Sequence, residues 1–347
     1  MENRQAFEIG GVKVAPGTRQ TVELPISVMS DHTPVTLTVH VVHGSRPGPT
    51  MFVSAAVHGD EVIGVEIARR LMNANVLDTL CGTLMILPIV NTFGFLNHSR
   101  YLPDRRDLNR LFPGSPKGSL GARLAHIFIN EIAVRADFGI DLHSAAIHRT
   151  NLPQIRVSPS KSETIVLAEA FGAPVVLTAP LRPGSMREAA QHVNVDMLLF
   201  EAGEALRFDE LAIRAGVSGI LRVMRKLEMA PAKTVTEAKV IPTRAKFSSW
   251  MRAPYGGLLR TFKNTGEMVK KGDVLGIISD PLGEVEHPVL ASLSGLIIGR
   301  TNLPVVNEGD GLFHVAKILK HDDAKDTIDS LETQLVADPL FDEDEII

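Results

Sequence analysis

From Pro49 onward the chain alternates between two hydrophobic patterns. Apolar runs of strand length, TMFVSAAV, TLMILPIV, FGIDL and VDMLLF, are separated by segments of helical character, DEVIGVEIARRLMNA and SLGARLAHIFINEIAVRA. Near-continuous apolar strands alternating with amphipathic helices predict an α/β domain whose largely parallel sheet is covered on both faces. Ahead of it, TVELPISV and VTLTVHVVHG alternate apolar and polar residues and predict strands with turn residues between them. The α/β region closes near GILRVMRKLEM, a helix stopped by Pro231. After the polar link PAKTVTEAKVIPTRAKF the pattern becomes all-β, in two similar halves with short Gly-, Asn- and Asp-punctuated strands. This divides the chain into an N-terminal β segment (1–46), an α/β domain (47–232), an all-β domain (233–320) and an acidic tail (321–347). The tail is expected to pack loosely and is assigned no chemistry.

Composition narrows the function. A length of 347 residues suits two domains, and 44% hydrophobic with 22% charged residues is the profile of an ordinary globular protein. A net charge of −4 and the lack of a long Lys/Arg cluster argue against a nucleic-acid partner. No stretch reaches the length of a membrane span, and MENRQAFEIGG has no signal-peptide core, so a cytoplasmic location is expected. The single cysteine, Cys81, excludes an internal disulfide and any multi-cysteine metal cluster. A bound metal would have to take His, Asp and Glu. Stray apolar surface strands would make a homo-oligomer unsurprising.

Polar residues suited to chemistry gather at the ends of the apolar runs. TMFVSAAV is followed by His58 and Glu61, TLMILPIV by Asn91, FGIDL by His143 and VDMLLF by Glu201. In open α/β sheets ligands bind beyond the carboxyl ends of the strands, so four such ends could converge on one crevice. Each has a simpler explanation. Gly59 could turn the chain, Asp60 cap a helix and Glu61 favour its dipole. Asp107-Leu108-Asn109-Arg110 could be turn and surface chemistry, and FEAGE could merely begin a turn. A capping glutamate, however, predicts nothing about where His143 falls, whereas a metal site does. His98, His126, His148 and His192 lack this pattern, although His148 is near enough to His143 in sequence to line a pocket.

HGDE (58–61), RYLPDRRDLNRLFPG (100–114), DLHS (141–144) and FEAGE (200–204), in this order, resemble the zinc carboxypeptidase superfamily and, within it, the succinylglutamate desuccinylase/aspartoacylase family. The resemblance covers roughly residues 45 to 320. It implies a three-layer α/β/α domain with a mixed, largely parallel sheet, followed by an all-β barrel-sandwich domain of biotinyl/lipoyl type. It also implies one zinc ion per chain, held by His58, Glu61 and His143 with a position left open for water or substrate. Asp107 is implied as the partner that orients His58; Asp141 stands in the same relation to the other histidine, or is structural. Glu201 would be the general base and Arg100 the oxyanion stabiliser. The Arg100–Asp107 stretch is longer than in the best-known aspartoacylases, which leaves Arg105 and Arg106 as alternatives.

Asn109 and Arg110 would grip a substrate carboxylate, and Arg187 would make a second anionic contact in competition with Arg149, Arg156 and Arg182. The all-β region carries SDPLGEVEHP where a carrier domain needs a lysine, so a carrier role is excluded and a wall over the crevice is expected. The expected activity is that of a zinc-dependent amidohydrolase that removes the acyl group from a small N-acyl amino acid. A carboxypeptidase acting on peptides and a non-catalytic metal-containing binding protein are the alternatives.

Overall fold

The computed structural model describes residues 4–158, 161–239 and 242–318, together with 328, 330, 331 and 333–335. A hairpin, β1 (Phe7–Ile9) and β2 (Val12–Val14), precedes two long strands, β3 (Thr18–Val28) and β4 (Pro34–His43). The α/β region follows as β5 (Arg46–Ala55), α1 (Ile63–Met72), β6 (Cys81–Leu87), α2 (Thr92–Leu96), α3 (Leu120–Ile127), β7 (Phe138–Ala145) and β8 (Arg149–Val157). It continues through α4 (Ser162–Phe171), β9 (Val175–Thr178), α5 (Met186–His192), β10 (Asp196–Glu204) and α6 (Glu210–Lys226). The C-terminal region supplies β11 (Thr243–Ala245), β12 (Ser248–Arg252), β13 (Gly257–Thr261), β14 (Met268–Val269), β15 (Val274–Ser279), β16 (Glu286–Leu290), β17 (Gly295–Thr301), β18 (Val305–Val306) and β19 (Gly311–Ala316).

The four apolar runs form the parallel centre of a mixed sheet, in the order β6, β5, β7, β10. Antiparallel strands extend it on both sides, β4 and then β3 beyond β6, and β8 beyond β10. Alternation along each strand feeds two separate cores. Met51, Val53 and Ala55 of β5 pack with Ile67 of α1, Phe171 of α4 and Ile220 of α6. Phe52 points the other way, to Leu124 of α3, Phe128 and Met186 of α5. Helices therefore cover both faces, which gives the expected three layers. The second helical segment is not continuous: α3 passes into a wider π turn at Phe128–Ile132 and a tight 3₁₀ turn at Ala133–Arg135.

Strand β8 has no counterpart in the sequence reading, and Pro153 stands in the middle of its RTNLPQIRV. The structure places this proline where β8 changes neighbours along one edge. Residues 149–151 pair with β17 and residues 154–157 with β9, so the missing N–H breaks no rung between them. Through the β8–β17 pairing the main sheet runs on into the C-terminal region, as β8-β17-β19-β12. The polar link also contributes a strand, β11, parallel to β9.

A second sheet, β16-β15-β13-β18, lies opposite the first. The two enclose Leu259, Leu275, Ile278, Val289, Phe313 and Val315 as a β-sandwich core. The tail departs from expectation where it is described: Leu331 and Leu335 are buried in the core shared by α1 and α6. The rest of 321–347 lies outside the described residues. Among the described residues no helix is long and apolar enough to cross a membrane.

Candidate active site

Beyond β5 the chain makes a tight turn that carries His58 and Glu61. Gly59 in this turn backs onto α2, and a Cβ there would lie 1.9 Å from the carbonyl carbon of Gly94. Only glycine lets the turn close. Helix α1 then starts behind Val62, whose side chain makes no capping bond, so Asp60 does not take the capping role open to it in the sequence. Asp60 is buried with one carboxylate oxygen lacking a partner among the described residues, and burial followed by the charge of Glu61 raises its pKa.

Glu61 turns inward and bridges two histidines. Its Oε1 lies 2.7 Å from His58 Nδ1 and its Oε2 lies 2.7 Å from His143 Nδ1. The second ring nitrogens are occupied elsewhere: His58 Nε2 is 3.1 Å from Asp107 Oδ1, and His143 Nε2 is 2.7 Å from Asp141 Oδ2. Both Nδ1 atoms are thereby directed to the same point, within 4.8 Å of each other and of Glu61. Strand period explains the Asp141–His143 pair, since residues two apart on β7 share a face. On neighbouring β5, Ser54 is in register with Asp141 and donates to its Oδ1 at 2.8 Å. Ser144 N–H donates to Glu61 Oε2 at 3.1 Å.

Burial on its own would push the Glu61 carboxyl up, but the two histidines outweigh it and hold the group well below its usual range. The histidines respond in the opposite sense. Burial would lower them, yet for His58 the charge of Glu61 and the bond to Asp107 prevail, and for His143 the charges of Asp141 and Glu61 prevail, so both are raised. The three carboxylates around the two imidazoles therefore attract positive charge to the point where the donor atoms meet. Two imidazole nitrogens and a carboxylate, with their outer atoms already held, fit a divalent metal.

Arg100 sits beside this cluster, donating to Glu61 Oε1 at 3.1 Å and to Asp107 Oδ2 at 3.2 Å. Arg105 and Arg106 are exposed, Arg105 at a positive φ and Arg106 near Asp104, so the structure brings neither to the cluster. Asp107 caps the short turn Leu108–Arg110 by accepting from Asn109 N–H at 2.8 Å. Asn109 Oδ1 accepts in turn from Met186 N–H at 2.9 Å, which ties this turn to α5. Asn91, singled out at a strand end, caps α2 and stays out of the cavity, and His148 is exposed.

The histidines open into a cavity of ≈ 220 Å³. Glu201 lies on its wall because β10 runs parallel to β7, with Glu201 in register with His143. Its Oε2 accepts from Asn151 Nδ2 at 2.7 Å and is 3.0 Å from Arg156. Six arginines line the space: Arg100, Arg110, Arg149, Arg156, Arg182 and Arg187. The positions competing in sequence for a second anionic contact are thus all present together. Arg187 NH1 and Arg156 Nε are buried without a partner among the described residues. Burial, then the charge of Arg156, pushes the Arg187 guanidinium down to about 10. Trp250 of β12 completes the wall; Arg149 lies 5.0 Å over its ring, and the His314 ring stacks on it at 4.8 Å.

Residues 47–227, more than half of the chain, match the family model described as the succinylglutamate desuccinylase/aspartoacylase catalytic domain. The chain belongs to the succinylglutamate desuccinylase/aspartoacylase family. It is accordingly an enzyme, a metal-dependent hydrolase of C–N bonds in linear amides. The N-alpha-acetyl-L-2,4-diaminobutyric acid deacetylase of Halomonas elongata is 25% identical over 294 residues, spanning 79% of this chain and 83% of that protein.

Among solved structures, a succinylglutamate desuccinylase/aspartoacylase from Rhodobacter sphaeroides superposes with a TM-score of 0.78 at 24% identity, covering 87% of this chain and 96% of its own. The product-bound ectoine utilization protein EutE (DoeB) of Ruegeria pomeroyi gives 0.77 at 22% identity, over 86% and 94% of the two chains. At these identities the likeness is one of fold.

Within this desuccinylase/aspartoacylase fold, sequence reasoning missed Asn151 and Trp250. Asn151 stands in β8, which has no counterpart in the sequence reading. Trp250 comes from the all-β region, and nothing local to SSWMR indicates that it faces a cavity formed mainly by the α/β region.

Proposed function

We propose that the chain is a zinc-dependent deacylase that hydrolyses the amide bond of a small, anionic N-acyl amino acid. The observation that carries this reading is the pair of histidines whose Nδ1 atoms meet on one glutamate while Asp107 and Asp141 hold their Nε2 atoms. His58, Glu61 and His143 would hold the ion, which when bound supplies Lewis acidity and makes water a nucleophile near neutral pH. Asp107 and Asp141 fix the histidine tautomers and orientations.

Glu201 takes the proton of the attacking water and delivers it to the leaving amine nitrogen as the C–N bond breaks. Arg100, beside the cluster, neutralises charge that develops on the carbonyl oxygen. Asn109 and Arg110 bind the α-carboxylate. Arg187 lines the cavity, and a guanidinium there can form a charge-assisted pair with a carboxylate, which supports a second anionic contact.

The C-terminal sandwich is read here as a biotinyl/lipoyl-like fold that serves as a wall. Its Trp250 lines the cavity, and Asn302 donates to Glu204 at 2.9 Å, joining the wall to the strand that carries Glu201. Cys81, a free thiol, suits a reducing compartment, and we assign the chain to the cytoplasm.

Zinc-loaded protein tested against N-acetyl and N-succinyl derivatives of acidic, neutral and basic amino acids decides the reading. Fastest turnover is expected with an acidic member, and Glu201→Gln should keep the metal while losing about 10²- to 10⁴-fold in kcat. Near-normal turnover by that variant, or preference for a basic amino acid, would contradict it.

A further inference from the structure

We infer that Asn151 and Gly299 together position Glu201, so that the C-terminal sandwich is built into the orientation of the general base; this rests on the reading of Glu201 given above. Asn151 Nδ2 donates to Glu201 Oε2 at 2.7 Å. A carboxylate only accepts, so the amide nitrogen must face it, and Asn151 Oδ1 is turned the other way. That oxygen points over Gly299 of β17, which pairs with Asn151 across the β8–β17 junction.

A Cβ at residue 299 would lie 2.5 Å from Asn151 Oδ1. Gly299 is not among the residues of positive φ, so its backbone conformation does not demand glycine. What the missing side chain provides is room for the Asn151 amide. Arg156 also reaches Glu201 through Oε2. Both contacts fall on one oxygen, which leaves Oε1 to exchange the proton. Asn151 fixes the carboxylate plane neutrally, whereas Arg156 alone would leave it free to swing toward the other arginines of the cavity.

The test uses zinc-loaded full-length protein and the N-acyl amino acid that the wild type turns over fastest, with Glu201→Gln in parallel. Asn151→Ala and Asn151→Leu, the second keeping the shape without the donor, should each lower kcat about 10- to 100-fold, the loss expected for one hydrogen bond to a charged group. KM should stay within about threefold and metal content should not change.

Gly299→Ala should lower kcat and the thermal midpoint, or fail to fold, because the new methyl meets the amide. In the Asn151→Ala background the same change should restore folding, add no further loss of kcat and lower the midpoint less than it does in the wild type. The nearest remaining atom is then the Thr150 carbonyl oxygen at 3.3 Å. Wild-type turnover by either Asn151 variant alongside a collapsed Glu201→Gln, or penalties of Gly299→Ala that are undiminished in the Asn151→Ala background, would overturn the inference. Normal turnover by Glu201→Gln would instead remove the base assignment, and this inference with it.

Discussion

Replacing Asp141 by asparagine takes one charge from behind the proposed metal site, His58, Glu61 and His143, while keeping every heavy-atom position. In the native chain Asp141 is fully buried, accepts from Ser54 Oγ at 2.8 Å and holds His143 Nε2 at 2.7 Å. In Asp141→Asn the carbonyl must take the histidine side, because only an acceptor there keeps the proton on Nε2 and the lone pair on Nδ1 for the metal. The amide nitrogen then faces Ser54, whose hydroxyl can rotate to accept.

The net change is one charge-assisted bond made neutral, about 1–2 kcal/mol, or roughly 5- to 30-fold in metal affinity. That overlaps the ~10- to 100-fold usual for outer partners of ligating histidines. Equilibrium competition for zinc against a chromophoric chelator measures it directly. Ser54→Ala, which removes a neutral donor and leaves the charge, should cost less than about threefold. An Asp141→Asn protein that binds zinc within twofold of the wild type would refute the idea that this carboxylate contributes to ligation.

Three further outcomes are expected. Arg187→Ala should raise KM for the best acidic substrate at least tenfold while kcat changes less, and an unchanged KM would remove Arg187 from the substrate site. His314 is held down to about 3 by burial, then by Arg156 and Arg182. The unfolded chain takes up its proton near 6.5 and the folded chain does not, so stability falls as pH drops from about 6.5 toward 3. His314→Phe should therefore narrow the gap between denaturant midpoints at pH 7 and pH 4.5, read through the fluorescence of the single tryptophan, and an unaltered gap would contradict the burial argument. Because the sandwich walls the cavity, tetrapeptides with a free C-terminus should be cleaved far more slowly than N-acyl amino acids; comparable kcat/KM would favour a carboxypeptidase.

The sequence by itself determined what depends on near neighbours along the chain. Apolar runs with strand and helix periods placed β5, β6, β7, β10, α1 and α6, because alternation and helical spacing are local consequences of burying one face. The spacing of His58 and Glu61, and of Asp141 and His143, carried two pairs of contacts already at short range. Tertiary structure decided everything that depends on which strands lie side by side. Glu201 faces the histidines because β10 pairs parallel with β7 in one register, and a slip of one residue would turn it to the face covered by α1, α4 and α6.

The choice among arginines was likewise beyond sequence. Arg100 reaches Glu61 while Arg105 and Arg106 turn outward, a matter of how one loop folds over α2 and α3. Asn151 reaches Glu201 because β8 pairs with β10, Gly299 reaches Asn151 across the β8–β17 junction between segments about 150 residues apart, and Trp250 follows through β19 and β12; none of these pairings leaves a periodic trace in either strand. Local patterns record which face of an element is buried, and they carry no information about which other element will cover it.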